Sequence, residues 1–423
     1  MTTSINTSTN TQTLCTSILQ QYPSINHILL LCLCCEQDPE YFTQYNAEQL
    51  DTVALSLRND KDWANVCQAT SFQNYAIENN DHALPSVLLN IKALNKSDGF
   101  RDAIDHLLRE DSKIDHQEEI YTPPSIASLI ARLMQPQANE SIYDPTCGAG
   151  SLLTACGKLA KVEVFGQEAL LKRWVTSQLT LMLYRQNPLG IKHSDCLLQP
   201  LHQENQLQKF DVVIGVPPLG RLVKNMAIND DFQRFKWGMP PSRLDYAYIS
   251  HMVSSMCPEN GRMAVLAQHG VLFRSAMEAS IRQKLIEDNL LDAVIALPEK
   301  MIPFMSAPLV LLIFKQQRPD TNVLWIDASK DYIADKYQNK LGKKHINRIC
   351  ELYINRQTVS QQATLVSFEE IKHNQFKLNI PLYIQPEQKV APSDLQSLQQ
   401  ERKQLIQQWQ SLQEQLDDIL QSQ

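Results

Sequence analysis

Ser141-Ile142-Tyr143-Asp144-Pro145-Thr146-Cys147-Gly148-Ala149-Gly150-Ser151-Leu152-Leu153 organises this chain. It reads as a short strand ending in an acid, a tight glycine turn and the first turn of a helix. Glycines let backbone come close to a bound ligand, and Asp144 is placed to order the loop's amides or to accept from a ligand's charged end. That is the form of a nucleoside-cofactor loop. Gly148-Ala149-Gly150 lacks the third glycine of the dinucleotide fingerprint, so taken alone these residues fit an ordinary strand-to-helix turn better. The next acid separates the two readings. The β-rich run Val162-Glu163-Val164-Phe165-Gly166 ends in Gln167-Glu168, and 168 − 144 places that carboxylate 24 residues on. This is close to the ~20 residues at which a second-strand acid meets a ribose diol in Rossmann-like folds.

Ile120-Tyr121-Thr122-Pro123 stands upstream and Phe165-Gly166-Gln167-Glu168 downstream. With Asp144-Pro145-Thr146-Cys147-Gly148-Ala149-Gly150 between them, the chain resembles N6-adenine DNA methyltransferases. It is most similar to the modification (M) subunit of type I restriction-modification systems, in family order from about Ile120 to about Tyr383. The resemblance implies an α/β, Rossmann-like, seven-stranded methyltransferase domain with S-adenosylmethionine as cofactor. It implies that Tyr121, Thr122 and Pro123 lie against the methionine end of that cofactor and that Asp144, Thr146, Gly148 and Gly150 form its loop. Glu168 would meet the ribose and Asp195 the adenine amine. On the residues alone, Thr122 can cap the helix carrying Ile126, Leu129, Ile130 and Leu133, and Pro123 suits its first turn.

Leu152, Ala155, Cys156 and Leu159 give the helix after the glycine loop one apolar face, and Trp174 to Tyr184 reads as the helix after Glu168. Ile191-Lys192-His193-Ser194-Asp195 then ends a third strand in an acid. Phe210-Asp211-Val212-Val213-Ile214-Gly215 is a central buried strand that delivers Val216-Pro217-Pro218-Leu219-Gly220 to its carboxyl end, where open α/β sheets place their chemistry. Asn or Asp, Pro, Pro, then Phe or Tyr stands here in the resembled family. Val216 and Leu219 depart at both chemical positions. Adenine N6 is a poor nucleophile because its lone pair is delocalised, and it needs a carbonyl to accept the amine's hydrogens. An aromatic ring that stacks the flipped base contributes ~1–3 kcal/mol. Val216 has no acceptor and Leu219 no π face.

Arg221, Lys224, Arg234, Lys236 and Arg243 follow, with Phe232, Phe235 and Trp237 among them. This basic stretch fits either a track along a DNA backbone or a solvated lid. Tyr246 and Tyr248 fit a target pocket or, more simply, a helix face in the core. Met263 to Ala267, Leu290 to Leu297, Leu309 to Lys315 and Val323 to Asp327 read as strands that complete a sheet of about seven. Met305-Ser306-Ala307-Pro308 replaces the family's Thr-Gly-Ile-Pro turn.

With 423 residues, 43 % of them hydrophobic and 20 % charged, the chain has material for two or three domains. Its longest apolar run, Ile28 to Cys35, falls far short of the ~20 residues of a membrane span. No charged segment of signal-peptide type precedes that run, so a cytoplasmic location without membrane partners is expected. Ten cysteines are scattered without paired metal-ligand spacing, and they read as reduced core residues rather than a zinc site. A formal charge of −7 argues against a wide DNA-gripping surface on this chain alone, so DNA would be met through a complex.

Four domains are expected. Residues 1–13, polar and nearly free of apolar side chains, form a disordered arm. Residues 14–115 form a helical N-terminal domain and 116–385 the methyltransferase-like domain. Residues 393–422 form a C-terminal coiled-coil helix, started by Ser393-Asp394-Leu395-Gln396 and carrying two heptad series. These are Leu395, Arg402, Trp409, Leu416 and Leu398, Leu405, Leu412, Ile419. The helix fits a dock for a specificity subunit or a second M subunit, or a strut packed on its own domain. No block large enough to read bases is inserted after the cofactor half, a task that type I M subunits leave to a separate specificity subunit.

Two functions remain open. One is an active adenine-N6 DNA methyltransferase. The other is a pseudo-methylase that keeps the cofactor fold and acts as a partner subunit, and Val216 and Leu219 favour it.

Overall fold

A computed structural model of the chain describes residues 2–79, 82–95, 100–114, 122–203, 205–222, 228–303, 305–335, 338–384 and 395–421; within these, 2–10, 79, 112–114, 202–203, 395–398 and 414–421 are described by backbone alone. Among the described residues one large sheet is built from β1 (Ser141–Asp144), β2 (Glu163–Glu168), β3 (Ile191–His193), β4 (Val212–Gly215), β5 (Arg262–Gln268), β6 (Leu291–Ala296), β7 (Leu309–Lys315), β8 (Val323–Asp327) and β9 (Ala363–Val366). Their order across the sheet is β9-β8-β6-β7-β5-β4-β1-β2-β3. β7 runs antiparallel to β5 and β6, and β9 antiparallel to β8. The remaining neighbours are parallel.

The sheet has nine strands where about seven were expected. The additional edge strand β9 is four residues long and half-exposed, which leaves too little apolar signal to read in sequence. Inner strands are different: β4 and β6 are buried at every position, because helices cover both faces of the sheet. Side-chain alternation divides the core. Ile142, Ile214, Val216, Leu266 and Ile295 share one cluster, and Tyr143, Val213, Val265 and Val294 the other.

Among the described residues eight α-helices precede this sheet, and the first seven are α1 (Thr2–Gln21), α2 (Ile25–Gln37), α3 (Ala47–Ser56), α4 (Lys61–Ala69), α5 (Phe72–Asn79), α6 (Leu84–Asn95) and α7 (Phe100–Ile114). α1 begins inside the stretch 1–13 expected as an arm. Its later turns are anchored by buried Cys15, Ile18 and Leu19, and once such a turn exists each further residue adds a hydrogen bond without a new nucleation cost, so the helix runs back to Thr2.

α2 is buried at every position from Ile28 to Cys35. A helix apolar on all sides has to be covered on all sides. It packs on α6 and α7 and also on α10 (Leu171–Leu183), the helix that follows β2. Asn26 Nδ2 donates to the Lys172 carbonyl at 3.1 Å, and Arg58 Nη1 to Gln178 Oε1 at 3.0 Å. The boundary expected near residue 115 is therefore bridged by a continuous core, and Met1–Ile384 form one compact unit. Gln385–Gln423 form a second, in which a single helix spans Leu395–Gln421. No single helix among the described residues is long and apolar enough to cross a membrane. All ten cysteines are free thiols, and all but Cys257 are buried.

Candidate functional site

Strand order locates the site. The chain moves outward from β1 to β2 and β3, then returns to place β4 on the other side of β1. At such a reversal the turns leaving the carboxyl ends diverge and open a crevice. Asp144 ends β1, Glu168 ends β2, and Asp195 follows β3 by two residues, so three neighbouring strands each deliver an acid to the same rim.

The glycine loop is held by these acids. Asp144 is buried, and its Oδ1 accepts from the Thr146 N–H at 3.0 Å. Cys147 N–H donates to the Gln167 carbonyl at 3.0 Å, which lays the loop along β2. Gly148 N–H donates to Glu168 Oε2 at 3.0 Å, and Glu168 Oε1 accepts from Leu170 N–H at 2.8 Å.

Gly150, at φ +81°, turns the chain into α9 (Ser151–Gly157). Gly148 has φ +53°, and a Cβ added there would meet nothing within 4 Å. The loop thus presents bare backbone to open space. Burial pushes the Asp144 carboxyl up to about 7, the Thr146 N–H opposes that, and the charge on Glu168 adds to it. Asp195 forms a turn of its own, with Oδ1 accepting from Leu197 N–H at 2.9 Å and Oδ2 lying 3.9 Å from Arg221 Nη1.

Upstream, Tyr121 lies outside the described residues. α8 (Pro124–Met134) starts one residue later than a Thr122 cap would require. Pro123 is its N-cap, accepting from Ile126 and Ala127 N–H at 3.0 Å each, and Thr122 makes no capping bond. The cause is Pro124, whose missing N–H and fixed φ suit the first helical position.

The Val216-Pro217-Pro218-Leu219 segment leaves β4 beside the glycine loop. A Cβ on Gly215 would sit 3.7 Å from Asp144 Oδ1, so motif and loop share one rim. Val216 is only 7 % exposed, and Leu219 packs half-buried on the same core cluster. The exit of the motif is clamped at Gly220, φ +67°. Its carbonyl accepts from Arg243 Nη1 at 3.1 Å, and its N–H points at Asp245 Oδ1 at 3.4 Å. Asp245 in turn pairs with Arg274 at 2.8 Å. Gln268, the last residue of β5, places Oε1 3.0 Å from where a Gly220 Cβ would be.

The basic stretch is not a track for DNA as a whole. Arg234 is fully buried and donates to the carbonyls of Cys196 and Leu197, each at 2.9 Å, while Arg243 is spent on Gly220. Lys224 lies outside the described residues. Tyr246 and Tyr248 are buried in α11 (Asp245–Ser254), as the core reading has it; Tyr246 donates to the Val271 carbonyl at 2.7 Å and Tyr248 accepts from Arg221 Nη1 at 3.2 Å. Sequence reasoning missed His251 and Gln268, gave Gln167 no role of its own and read Arg234 only as part of the basic stretch. Gln167 and Gln268 were open to discovery as polar residues at the ends of apolar strands, but the inward turn of Arg234 has no local signature.

Residues 95–391, most of the chain, match the model of the N-6 DNA Methylase family. The chain belongs to that family. Among its curated relatives, the type I restriction enzyme MjaVIII methylase subunit of Methanocaldococcus jannaschii is 30 % identical over 67 % of this chain and 52 % of its own length. The MpnII methylase subunit of Mycoplasma pneumoniae is 24 % identical over 77 % of this chain and 64 % of its own length. The chain thus spans about half to two thirds of the length of these relatives. The type I restriction-modification methyltransferase subunit from Streptococcus thermophilus has the same fold, with a TM-score of 0.68 at 23 % identity over 88 % of this chain and 94 % of that one. S-adenosylmethionine is the cofactor of the N-6 DNA methylases. The rim fits such a group in chemistry: open glycine backbone for close approach, and acids for hydroxyls, an amine and positive charge.

Proposed function

We propose that this chain is an M-subunit-like N-6 DNA methylase family member that binds S-adenosylmethionine, has lost adenine methylation, and serves as a partner subunit in a DNA modification or defence complex. In this reading Gly148 and Gly150 let the cofactor lie against backbone, with Thr146 beside them. Glu168 accepts from the ribose hydroxyls, Asp195 from the adenine amine, and Asp144 faces the cationic end. Tyr121, Thr122 and Pro123 close the methionine side. The bound cofactor supplies an electrophilic sulfonium methyl, and everything else the transfer needs has to come from protein.

Val216 carries the reading. It stands where the acceptor for the adenine amine belongs, and it is an aliphatic side chain 7 % exposed. Losing one oriented polar group of this kind costs ~10²–10³ in rate. Leu219 removes the stacking ring as well. Arg234, the centre of the basic stretch, is turned inward, which with a net charge of −7 supports DNA being met through a complex. The tail helix is the proposed dock for a specificity subunit or second M subunit, with Trp409 of one heptad series and Leu405 and Leu412 of the other exposed. A cytoplasmic location accompanies this function.

An active adenine-N6 methyltransferase is the second reading, and the Gln268 amide beside Gly220 favours it, since it would supply a displaced acceptor. Transfer from tritiated cofactor to mixed-sequence DNA tests both. The wild type alone is expected at background. Val216→Asn with Leu219→Phe is expected to raise adenine methylation by ~10² or more in the assembled complex, each single change doing much less. Robust wild-type methylation that Val216→Ala leaves intact and Gln268→Ala abolishes would replace the first reading with the second.

A further inference from the structure

Beneath the rim runs a buried polar chain whose every hydrogen bond has a fixed direction. A guanidinium only donates, so Arg234 Nη1, 3.3 Å from His251 Nδ1, makes that nitrogen the acceptor. His251 therefore carries its proton on Nε2 and donates it to the Tyr143 hydroxyl oxygen at 3.0 Å. The Tyr143 hydroxyl donates to Gln167 Oε1 at 2.6 Å. The Gln167 amide group donates to Ser194 Oγ and to the Gln199 carbonyl, each at 2.7 Å. Arg234 Nη2 also holds the carbonyls of Leu197 at 2.9 Å and Asn229 at 3.1 Å. Arg234, His251, Tyr143 and Gln167 are all at most 1 % exposed. Burial, with the Arg234 and Lys209 charges, depresses His251 to about 3, in keeping with a neutral ring.

The register of this chain matters more than its burial. Tyr143 immediately precedes Asp144, Gln167 precedes Glu168, and Ser194 precedes Asp195. Successive side chains point to opposite faces of a strand, so along β1 and β2 the network side chains lie on the face away from the acids. The network therefore ties together the three strand ends that carry the rim. Its far end is Arg234, which belongs to the segment between the Val216 motif and α11 and closes the network back onto the turn after β3 through the carbonyls of Cys196 and Leu197. An apolar core would have filled the same space without a desolvated charge.

We propose that Arg234, acting through His251, Tyr143 and Gln167, is a positioning residue for the cofactor site: it sets the relative placement of the acid-bearing strand ends and couples the order of segment 228–237 to cofactor occupancy. This rests on the cofactor reading above. Calorimetric titration of the full chain with S-adenosylmethionine tests it, using Arg234→Met, Tyr143→Phe and the double variant. Tyr143→Phe removes one hydroxyl and keeps the ring stacked on Phe210 at 4.4 Å. Either single change is expected to weaken cofactor binding about tenfold, as substitutions along a coupling network do. The double variant is expected to be little worse than the worse single, because both cut one path. Arg234→Lys, which keeps the charge and reaches one carbonyl, is expected to recover part of the loss. Hydrogen exchange of amides in 228–237 should slow on adding cofactor to the wild type and not to Tyr143→Phe.

Wild-type affinity in folded Arg234→Met and in Tyr143→Phe would overturn the proposal, as would losses that simply add. If Arg234→Met fails to fold, Tyr143→Phe decides by itself. An unaltered chain that binds no cofactor removes the cofactor reading and this inference together, whereas normal binding with insensitive variants removes this inference alone.

Discussion

Asp144→Asn is a perturbation whose sign follows from burial. The asparagine keeps the oxygen that accepts from Thr146 N–H at 3.0 Å but cannot ionise. In the folded wild type the carboxyl holds its proton up to about 7, against an ordinary value of 3.8. Between those values the folded chain binds a proton that the unfolded chain has released, so stability falls as pH rises, by at most ~1.4 kcal/mol per pH unit. Above both values the cost levels off at ~4 kcal/mol, an upper figure because the structure relaxes around a buried charge. The variant lacks this slope. A buried amide N–H₂ without a full set of partners costs ~1–3 kcal/mol at every pH. The stability difference, variant minus wild type, is therefore expected to be slightly negative near pH 4.5 and to climb by roughly 3 kcal/mol by pH 8. Urea unfolding of both proteins without cofactor at pH 4.5, 6, 7 and 8 measures it, and the titrations of unrelated groups cancel in the difference. A difference flat across that range would refute the argument and mean that Asp144 is ionised and solvated in the folded chain.

Gly148→Ala places a side chain at φ +53° with nothing within 4 Å, so it should cost only ~1–2 kcal/mol in unfolding experiments while blocking close approach, with cofactor affinity falling at least about tenfold; a parallel loss of both would make the effect structural. Asp292→Ala leaves Arg318, 3 % exposed, beside Lys315 and Arg356 without the carboxylate that pairs with all three, and should cost ~3–5 kcal/mol in denaturant titration. Burial alone would raise the Asp292 carboxyl, yet these cations hold it below its usual value, so its contribution should persist until pH falls below the ordinary carboxylate range. Deleting the residues after Pro392 should leave helical content and cofactor binding unchanged and abolish co-purification with a co-expressed specificity or second M subunit; an unfolded truncation would assign the tail to the core instead.

Most of the fold was legible because local chemistry and global architecture agree. The run Val212-Val213-Ile214-Gly215 has to be a central strand wherever it lies, and Gly148 and Gly150 have to turn. The spacing of Asp144, Glu168 and Asp195 follows from strand-helix-strand units of ordinary length, and it places three acids on one rim whatever surrounds them. The short strand β9 and the exact start of α8 escaped, the first because four half-exposed residues carry little periodicity and the second because Pro123 and Pro124 both suit a helix start.

By itself, then, the sequence determined the α/β class and the order of the rim residues, and it put Val216 and Leu219 where the resembled family has a polar acceptor and a ring. Tertiary structure alone decided what each basic and apolar surplus is for. Arg234 is drawn inward because the carbonyls of Cys196 and Leu197, far away in sequence, are left unpaired by their turn and need a donor. α2 abolishes a domain boundary because a helix apolar on every side finds its second partner in α10, more than a hundred residues later. Both depend on which distant groups meet, and contact between distant segments is the one property that local pattern does not encode.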